Sequence, residues 1–527
     1  MKICGRILGA LLLFQVNGIG LAQALPELKN FTLRLQGEPE TLDWNKAHTP
    51  IENYLMITLM EGLVSLDSVK VEPALAESWK ISGDRKTYTF KIRKNAVWSD
   101  GVPVTAEDFL TSWKRLLAPE TAAAYAYFLF DIEGAEAFNQ GKEKDFSKVA
   151  VKPLDSKTLQ VRLRKPVSHW ISIPTHWVTF PLRKDILEKY GDQWAKPGRM
   201  VTAGPYLLDR YDLNSQIILK RNPKYYGHQG KVDQITALIV ADDTTALQLY
   251  QTGKLDFLTD FPILNVKSLS ETPGFQIFPY LKTVYLGFSF SPNHPTDAQK
   301  WIQNPHLRKA IAMSIDRSKI GEILQGKQSP GATFVPPPLT GSSKNVGITY
   351  NPKEALEEFR LSQAPKGIEL EILILNWEKT LTLAQFIQSQ LKLHLGIQLN
   401  LQPYDNKTYR AQLDLHRHPL FLTSWSADYP DPDNFLSIFL SDSGNNRPGW
   451  KNSSFDHKIL QARQMPSSSQ RERLYIEMQR ELLDKEVVIV PLYYEPNIAL
   501  VNPRVRGLKL NPLNYLDIKG VEISETK

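Results

Sequence analysis

Residues 369–401 fix the kind of fold open to this chain. Inside Leu370–Leu375 stands the nearly unbroken apolar run ILIL, a pattern that suits a strand buried on both faces. A helical stretch follows and closes at Gly396, where a helix end favours a residue free to adopt a left-handed backbone. Ile397, Leu399 and Leu401 then alternate as a second strand. A helix between neighbouring strands returns the chain to the same end of the sheet, so the pair runs parallel. The unit predicts mixed α/β lobes.

The rest of the chain keeps that habit. Tyr88, Phe90 and Ile92 share one face of a half-buried strand, and Ser99-Asp100-Gly101 reads as a turn. Thr105 opens a helix with Asp108 as its capping-box acid, and Phe109, Trp113, Leu116 and Leu117 form its apolar stripe. Leu159, Val161 and Leu163 alternate again before Pro166, and Asn304-Pro305 caps a helix carrying Leu307, Ala310, Ile311 and Ile315. At 527 residues the chain exceeds what one core supports, since domains run to roughly 100–200 residues, so two or three lobes are expected.

The first residues form a separate unit. Lys2 and Arg6 precede an apolar run from Ile7 to Phe14, and Ala22-Gln23-Ala24 has the small-x-small form of a cleavage site. This is the layout of a secretory signal peptide over residues 1–24. The apolar run is too short for a membrane span, which takes ~20 residues. Cys4, the only cysteine, lies inside the expected leader, so the mature chain has no thiol for disulfides, nucleophilic catalysis or metal binding. Cys4 also precedes the apolar run, which does not suit a lipid anchor. The expectation is a protein exported to the periplasm. The net charge of +7 includes the two leader cations, and no dense basic stripe with interleaved aromatics points to nucleic acid.

Enzymatic signatures are missing. There is no HExxH helix and no GxSxG elbow, and GEILQGKQ (321–328) ends in Gln328 where a phosphate loop needs Ser or Thr. His416 and His418 read as surface or wall residues, and Asp428, Asp431 and Asp433 lack the glycine and terminal glutamate of a calcium loop. No cofactor and no metal are expected. What remains is WSADYPDPDNF (425–435), which sets one acid between two aromatics in a proline-stiffened loop. A carboxylate held there waits for a cation: a metal, a catalytic proton or part of a ligand.

One pattern covers nearly the whole chain. Residues 71–128, with Trp98-Ser99-Asp100-Gly101 and the helix start Val104–Phe109, resemble the extracellular solute-binding proteins of the oligopeptide and dipeptide class, which deliver ligands to ABC importers. VTAGPYLL from Val201, RNPKYY from Arg221, HLRKAIAMSIDR from His306, WSADY from Trp425 and SFDHKIL from Ser454 continue the resemblance in order. It implies an α/β, two-lobed periplasmic binding protein type II fold with an additional inserted domain. Lobe I would hold residues 25–60, 186–285 and 496–527, the inserted domain 61–185 and lobe II 286–495. Tyr88, Phe90, Trp98 and Trp113 read as core residues that identify the family without touching its chemistry.

The resemblance also implies a site. Asp428 stands where peptide-binding relatives pair an aspartate with the ligand's α-ammonium. Ser424 to Ser426 would add the peptide backbone as a strand, with Ala47 to Pro50 as the opposite edge, including His48 and Thr49. Tyr125, Tyr285, Trp425 and Tyr494 fall where relatives place cleft aromatics, and Asn446 is a further candidate. Three departures stand out. His48 aligns with an acid of relatives, Pro50 has no N–H to give, and Leu422 stands where some relatives carry arginine. No basic residue for the ligand carboxylate is identified. The implied partners are a short peptide and inner-membrane permease subunits, with the protein itself a monomer. Alternatives are a murein peptide, a metal chelate or another small solute on the same fold, a sensory or chaperone role, and an exported hydrolase.

Overall fold

The computed structural model describes residues 28–262, 265–290, 297–343 and 345–524; the expected leader and Cys4 lie outside the described residues. The unit at 369–401 folds as its pattern requires. Strand Glu369–Leu375 pairs in parallel with Gln398–Tyr404, and helix Glu378–Leu395 crosses between them. Gly396 ends that helix at a φ of 68°, a backbone that a β-carbon would strain. Leu370, Ile372, Leu373 and Ile374 are all buried, as a run without polar alternation predicts.

These strands belong to a six-stranded sheet in the order Ser329–Pro330, Ile489–Tyr494, Lys282–Phe288, Leu420–Ser426, Glu369–Leu375, Gln398–Tyr404. A seven-stranded sheet runs Phe275–Phe278, Asn497–Val501, Phe257–Leu258, Asn30–Leu35, Gln234–Ile239, Gln216–Arg221, Tyr206–Asp212. Its central strand Asn30–Leu35 is parallel to both neighbours. Segments far apart in sequence thus build each large sheet, and the chain crosses between them more than once. Residue 285, the expected end of a lobe I segment, falls inside a strand of the six-stranded sheet.

A third, antiparallel sheet of Ala76–Ile81, Thr87–Ile92, Thr158–Arg162 and Val151–Asp155 carries the stretch that the resemblance rests on. Helix Ala106–Leu117 packs on it. Asp108 returns to the Thr105 N–H at 2.8 Å and accepts from the Trp98 indole at 3.1 Å, so the capping acid ties the turn to the helix. Trp98, Phe90, Phe109 and Trp113 are wholly buried. The last stretch of the chain folds back on helix Pro50–Leu59, where the Asn53 amide donates to the Asn514 carbonyl at 3.2 Å.

Candidate functional site

The strand Leu420–Ser426 has one covered edge and one open one. Along one side it pairs with Lys282–Phe288 over its full length, from Ser426 opposite Lys282 to Leu420 opposite Phe288. Along the other, Glu369–Leu375 reaches only Leu420 and Phe421. Ala427 donates its N–H to Leu281 at 2.9 Å, on the covered side. Backbone groups alternate direction along a strand, so those of Ser424 and Ser426 point to the open edge. The Leu422 carbonyl on that edge is taken by the Tyr409 hydroxyl at 2.6 Å.

Beyond Ser426 the chain turns, and its polar groups divide sharply. Asn434 Oδ1 accepts from the Trp425 indole at 2.9 Å and from the Asp428 N–H at 3.2 Å, which sets the loop. Asp431 receives Arg471 through two nitrogens at 2.8 and 2.9 Å. Asp433, fully buried, receives Arg463 through two nitrogens at 2.8 and 3.0 Å, together with the Tyr429 hydroxyl at 2.8 Å. Bidentate arginine pairs are the strong form of this contact. Asp428 has no ion pair among the described residues.

The Asp428 charge instead acts on aromatic side chains from two segments distant in sequence. Burial and then the Asp428 charge push up the phenols of Tyr125 and Tyr127, on the segment between the antiparallel strands, and of Tyr515 near the C-terminus. Trp177 joins them, 6.3 Å from Tyr125 and 5.8 Å from Tyr515 between ring centres, and its indole donates to the Ala47 carbonyl at 3.0 Å. His176 stacks on Trp177 at 3.8 Å, and burial lowers its pKa to about 3, so it stays neutral and offers Asp428 no cation. Burial raises the Asp428 carboxyl to about 6, with the Asn434 hydrogen bond pulling back. The result is a half-buried carboxylate without a cation partner among the described residues, in the neighbourhood of several aromatic side chains.

Trp425, Ser424, Ser426 and Tyr125 lie at this site or on the strand that leads to it. Other expected positions are spent elsewhere. Tyr285 is 1% exposed, its ring packed edge-on against Phe334 and Phe421, so it fills the core of the six-stranded sheet rather than lining an opening. The Tyr494 hydroxyl bonds the backbone of Ala332 and Thr333. Asn446 ties its own loop through the carbonyls of Leu440 and Trp450. His48 turns to the Lys46 carbonyl at 3.2 Å and to Glu40 at 3.7 Å. The expected opposite edge is also consumed: buried Glu52 takes the N–H groups of His48 and Thr49, both at 2.8 Å, and Pro50 begins a helix. Thr49 Oγ1 is buried and has no partner among the described residues. Sequence reasoning missed Tyr127, Trp177 and Tyr515, which reach the site only through long-range folding. Asn434 was inside the quoted motif and could have been found as an Asx residue capping its own loop.

Comparison with known sequences and structures identifies the family and the fold. The profile of the bacterial extracellular solute-binding proteins, family 5 Middle, matches residues 70–447. The chain belongs to this family. Among its relatives are the periplasmic oligopeptide-binding protein OppA of Salmonella typhimurium, 32% identical over 92% of this chain and 91% of OppA, and the probable deoxycholate-binding periplasmic protein YgiS of Escherichia coli, 32% identical over 94% of this chain and 93% of YgiS. The unliganded open form of the periplasmic murein tripeptide-binding protein MppA superposes with a TM-score of 0.82 at 27% identity, covering 95% of this chain and 98% of MppA. This family 5 protein accordingly has the two-lobed type II binding-protein fold with an inserted domain. Asp428 follows a strand of the six-stranded sheet, and its charge acts on phenols from two segments distant in sequence, Tyr125 with Tyr127 and Tyr515.

Proposed function

We propose that this family 5 protein captures short peptides between its lobes for delivery to an ABC importer. One observation carries the reading. Of the three aspartates between residues 428 and 433, two are locked by arginines and Asp428 alone has no cation. A peptide's free amino terminus supplies that missing charge whatever the peptide's sequence. The open edge at Ser424 and Ser426 then receives the peptide backbone as an added strand. With the His48 and Thr49 donors consumed, main-chain pairing is one-sided, and the ammonium contact carries a larger share of the affinity.

The protein acts as a carrier and performs no chemistry on its ligand. It works as a monomer in the periplasm, after loss of residues 1–24, with inner-membrane permease subunits as its partners. Among the described residues no helix is long and apolar enough to cross a membrane. Segments 28–60, 186–281 and 496–524 build lobe I around the seven-stranded sheet, 61–185 the inserted domain and 282–495 lobe II around the six-stranded sheet, so the boundary expected at 285 moves to the start of the strand Lys282–Phe288.

Titration calorimetry with Ala-Ala-Ala and its N-acetylated form tests the peptide reading: the free peptide binds and the acetylated one binds at least tenfold more weakly. Equal binding of both, or binding of deoxycholate in place of either, overturns it. Binding also depends on pH. The raised carboxyl must ionise to meet the ammonium, so affinity is full above the pKa of about 6 and is lost as pH falls through it. Below that point the affinity drops by about tenfold per unit until the bound-state pKa is reached. Isothermal titrations from pH 7.5 to pH 4.5 show this slope for the native protein and not for Asp428→Asn.

A further inference from the structure

The lobe facing Asp428 carries a carboxylate of its own at the matching place. The strand Phe257–Leu258 lies beside the central parallel strand of the seven-stranded sheet, with Leu33 opposite Phe257, and Asp260 follows it two residues on. The space beyond the carboxyl ends of strands in such sheets is where ligands bind. Asp428 likewise follows the carboxyl end of an inner strand of the other sheet.

Asp260 is open to solvent, and its Oδ2 accepts a hydrogen bond from its neighbour Thr259 at 3.0 Å. Three charged groups bear on it. Arg34 is bound to the Asp260 carbonyl at 2.6 Å, to the carbonyls of Val240 and Ala241, and to the Asp243 carboxylate at 2.7 Å, so its guanidinium is engaged away from the Asp260 side chain. Lys282 lies over the Tyr280 ring, 5.8 Å from its centre, and forms no ion pair with Asp260. Asp243 is itself negative. The surrounding protein raises the Asp260 carboxyl above the usual range, with Thr259 and Arg34 pulling the other way. Lys282, whose charge acts on Asp260, stands opposite Ser426 in the six-stranded sheet, and the Tyr280 hydroxyl donates to Ser426 Oγ at 3.3 Å. Ser426 is two residues from Asp428.

We propose that Asp260 is a second anionic anchor of the cleft and that the preferred ligands are peptides with a basic side chain near the amino end. This rests on the peptide reading above: Asp428 takes the ammonium, and Asp260 takes a lysine or arginine side chain that leaves the added strand towards the other lobe. Arg34 and Lys282 act on that charge from a distance, and among the described residues no cation forms an ion pair with the Asp260 side chain. Its hydrogen bond from Thr259 is open to asparagine as well.

The test compares Lys-Ala-Ala and Ala-Lys-Ala with the same peptides carrying norleucine, which keeps the four-carbon stem and removes the ammonium. At least one lysine peptide binds the native protein about tenfold more tightly than its norleucine counterpart, the scale of one hydrogen bond to a charged group. In Asp260→Asn that ratio falls to near one, while Ala-Ala-Ala binds as before and the thermal transition does not move. In Asp260→Lys the preference turns towards Ala-Glu-Ala. Peptide binding with no lysine preference, or a preference that survives in both variants, overturns this inference alone. Failure of every peptide to bind the native protein overturns the peptide reading and this inference with it.

Discussion

Asp428→Ala lowers the affinity for a tripeptide by about two to three orders of magnitude in titration calorimetry. Removing one partner of a desolvated charge pair costs ~3–5 kcal/mol, and ~1.4 kcal/mol is tenfold in affinity. The full effect is expected because the other acids of the same loop are already paired and cannot take its place. Asp431 and Asp433 are held by Arg471 and Arg463, and His176 is neutral. The same change leaves the ligand-free protein at least as stable. Burial raises the Asp428 carboxyl to about 6, so its ionised form is disfavoured by folding. That cost is absent at low pH, grows as pH rises through the unfolded carboxylate pKa, and is fully present above about 6. A thermal transition at pH 7.5 that holds or rises in Asp428→Ala therefore separates lost recognition from lost folding.

Arg463→Ala has the opposite signature. It strands the fully buried Asp433 carboxylate and costs ~3–5 kcal/mol of stability, as the loss of one partner from a buried pair does. For a lobe of this size the thermal transition falls by about 10 °C. Burial alone would raise the Asp433 carboxyl, but Arg463 outweighs it and holds the value below the ordinary range. The contribution of a depressed acid is present above its unfolded pKa and is lost as pH falls through the folded one. The native lobe is therefore sensitive to acid at this pair, and Arg463→Ala flattens that dependence. A second change, Asp433→Asn, restores part of the lost stability in the Arg463→Ala background, because the unpaired buried charge is then gone. Differential scanning calorimetry of the two variants measures both effects; an Arg463→Ala transition within 2 °C of native would show that the pair contributes little.

Local features of the fold were readable from sequence because their causes are local. The run ILIL with Gly396 and the alternation after it defined a parallel crossover, and Thr105 with Asp108 defined a helix start. The motif at 425–435 singled out Asp428 as the candidate acid. The remainder of the site depends on long-range closure. Tyr127, Trp177 and Tyr515 carry no neighbouring pattern that points to residue 428. Tyr285 aligned with a cleft position, yet its ring faces the core against Phe334 and Phe421. The segment from Ala47 to Pro50 offered an edge in sequence, but Glu52 takes its donors within one helical turn, a competition that alignment does not show. Asp260 had no motif at all. Only the order of strands in the sheet shows that it follows a strand beside the central one.

The most direct test of the ammonium contact is a double-mutant cycle that crosses Asp428→Asn with acetylation of the peptide's amino terminus. Each change removes one side of the same pair, so the account predicts strong coupling: acetylation weakens binding to the native protein by about a hundredfold and has almost no further effect on the variant. If acetylation weakens binding to Asp428→Asn as much as it does to the native protein, the amino terminus is held elsewhere and residue 428 is not its partner.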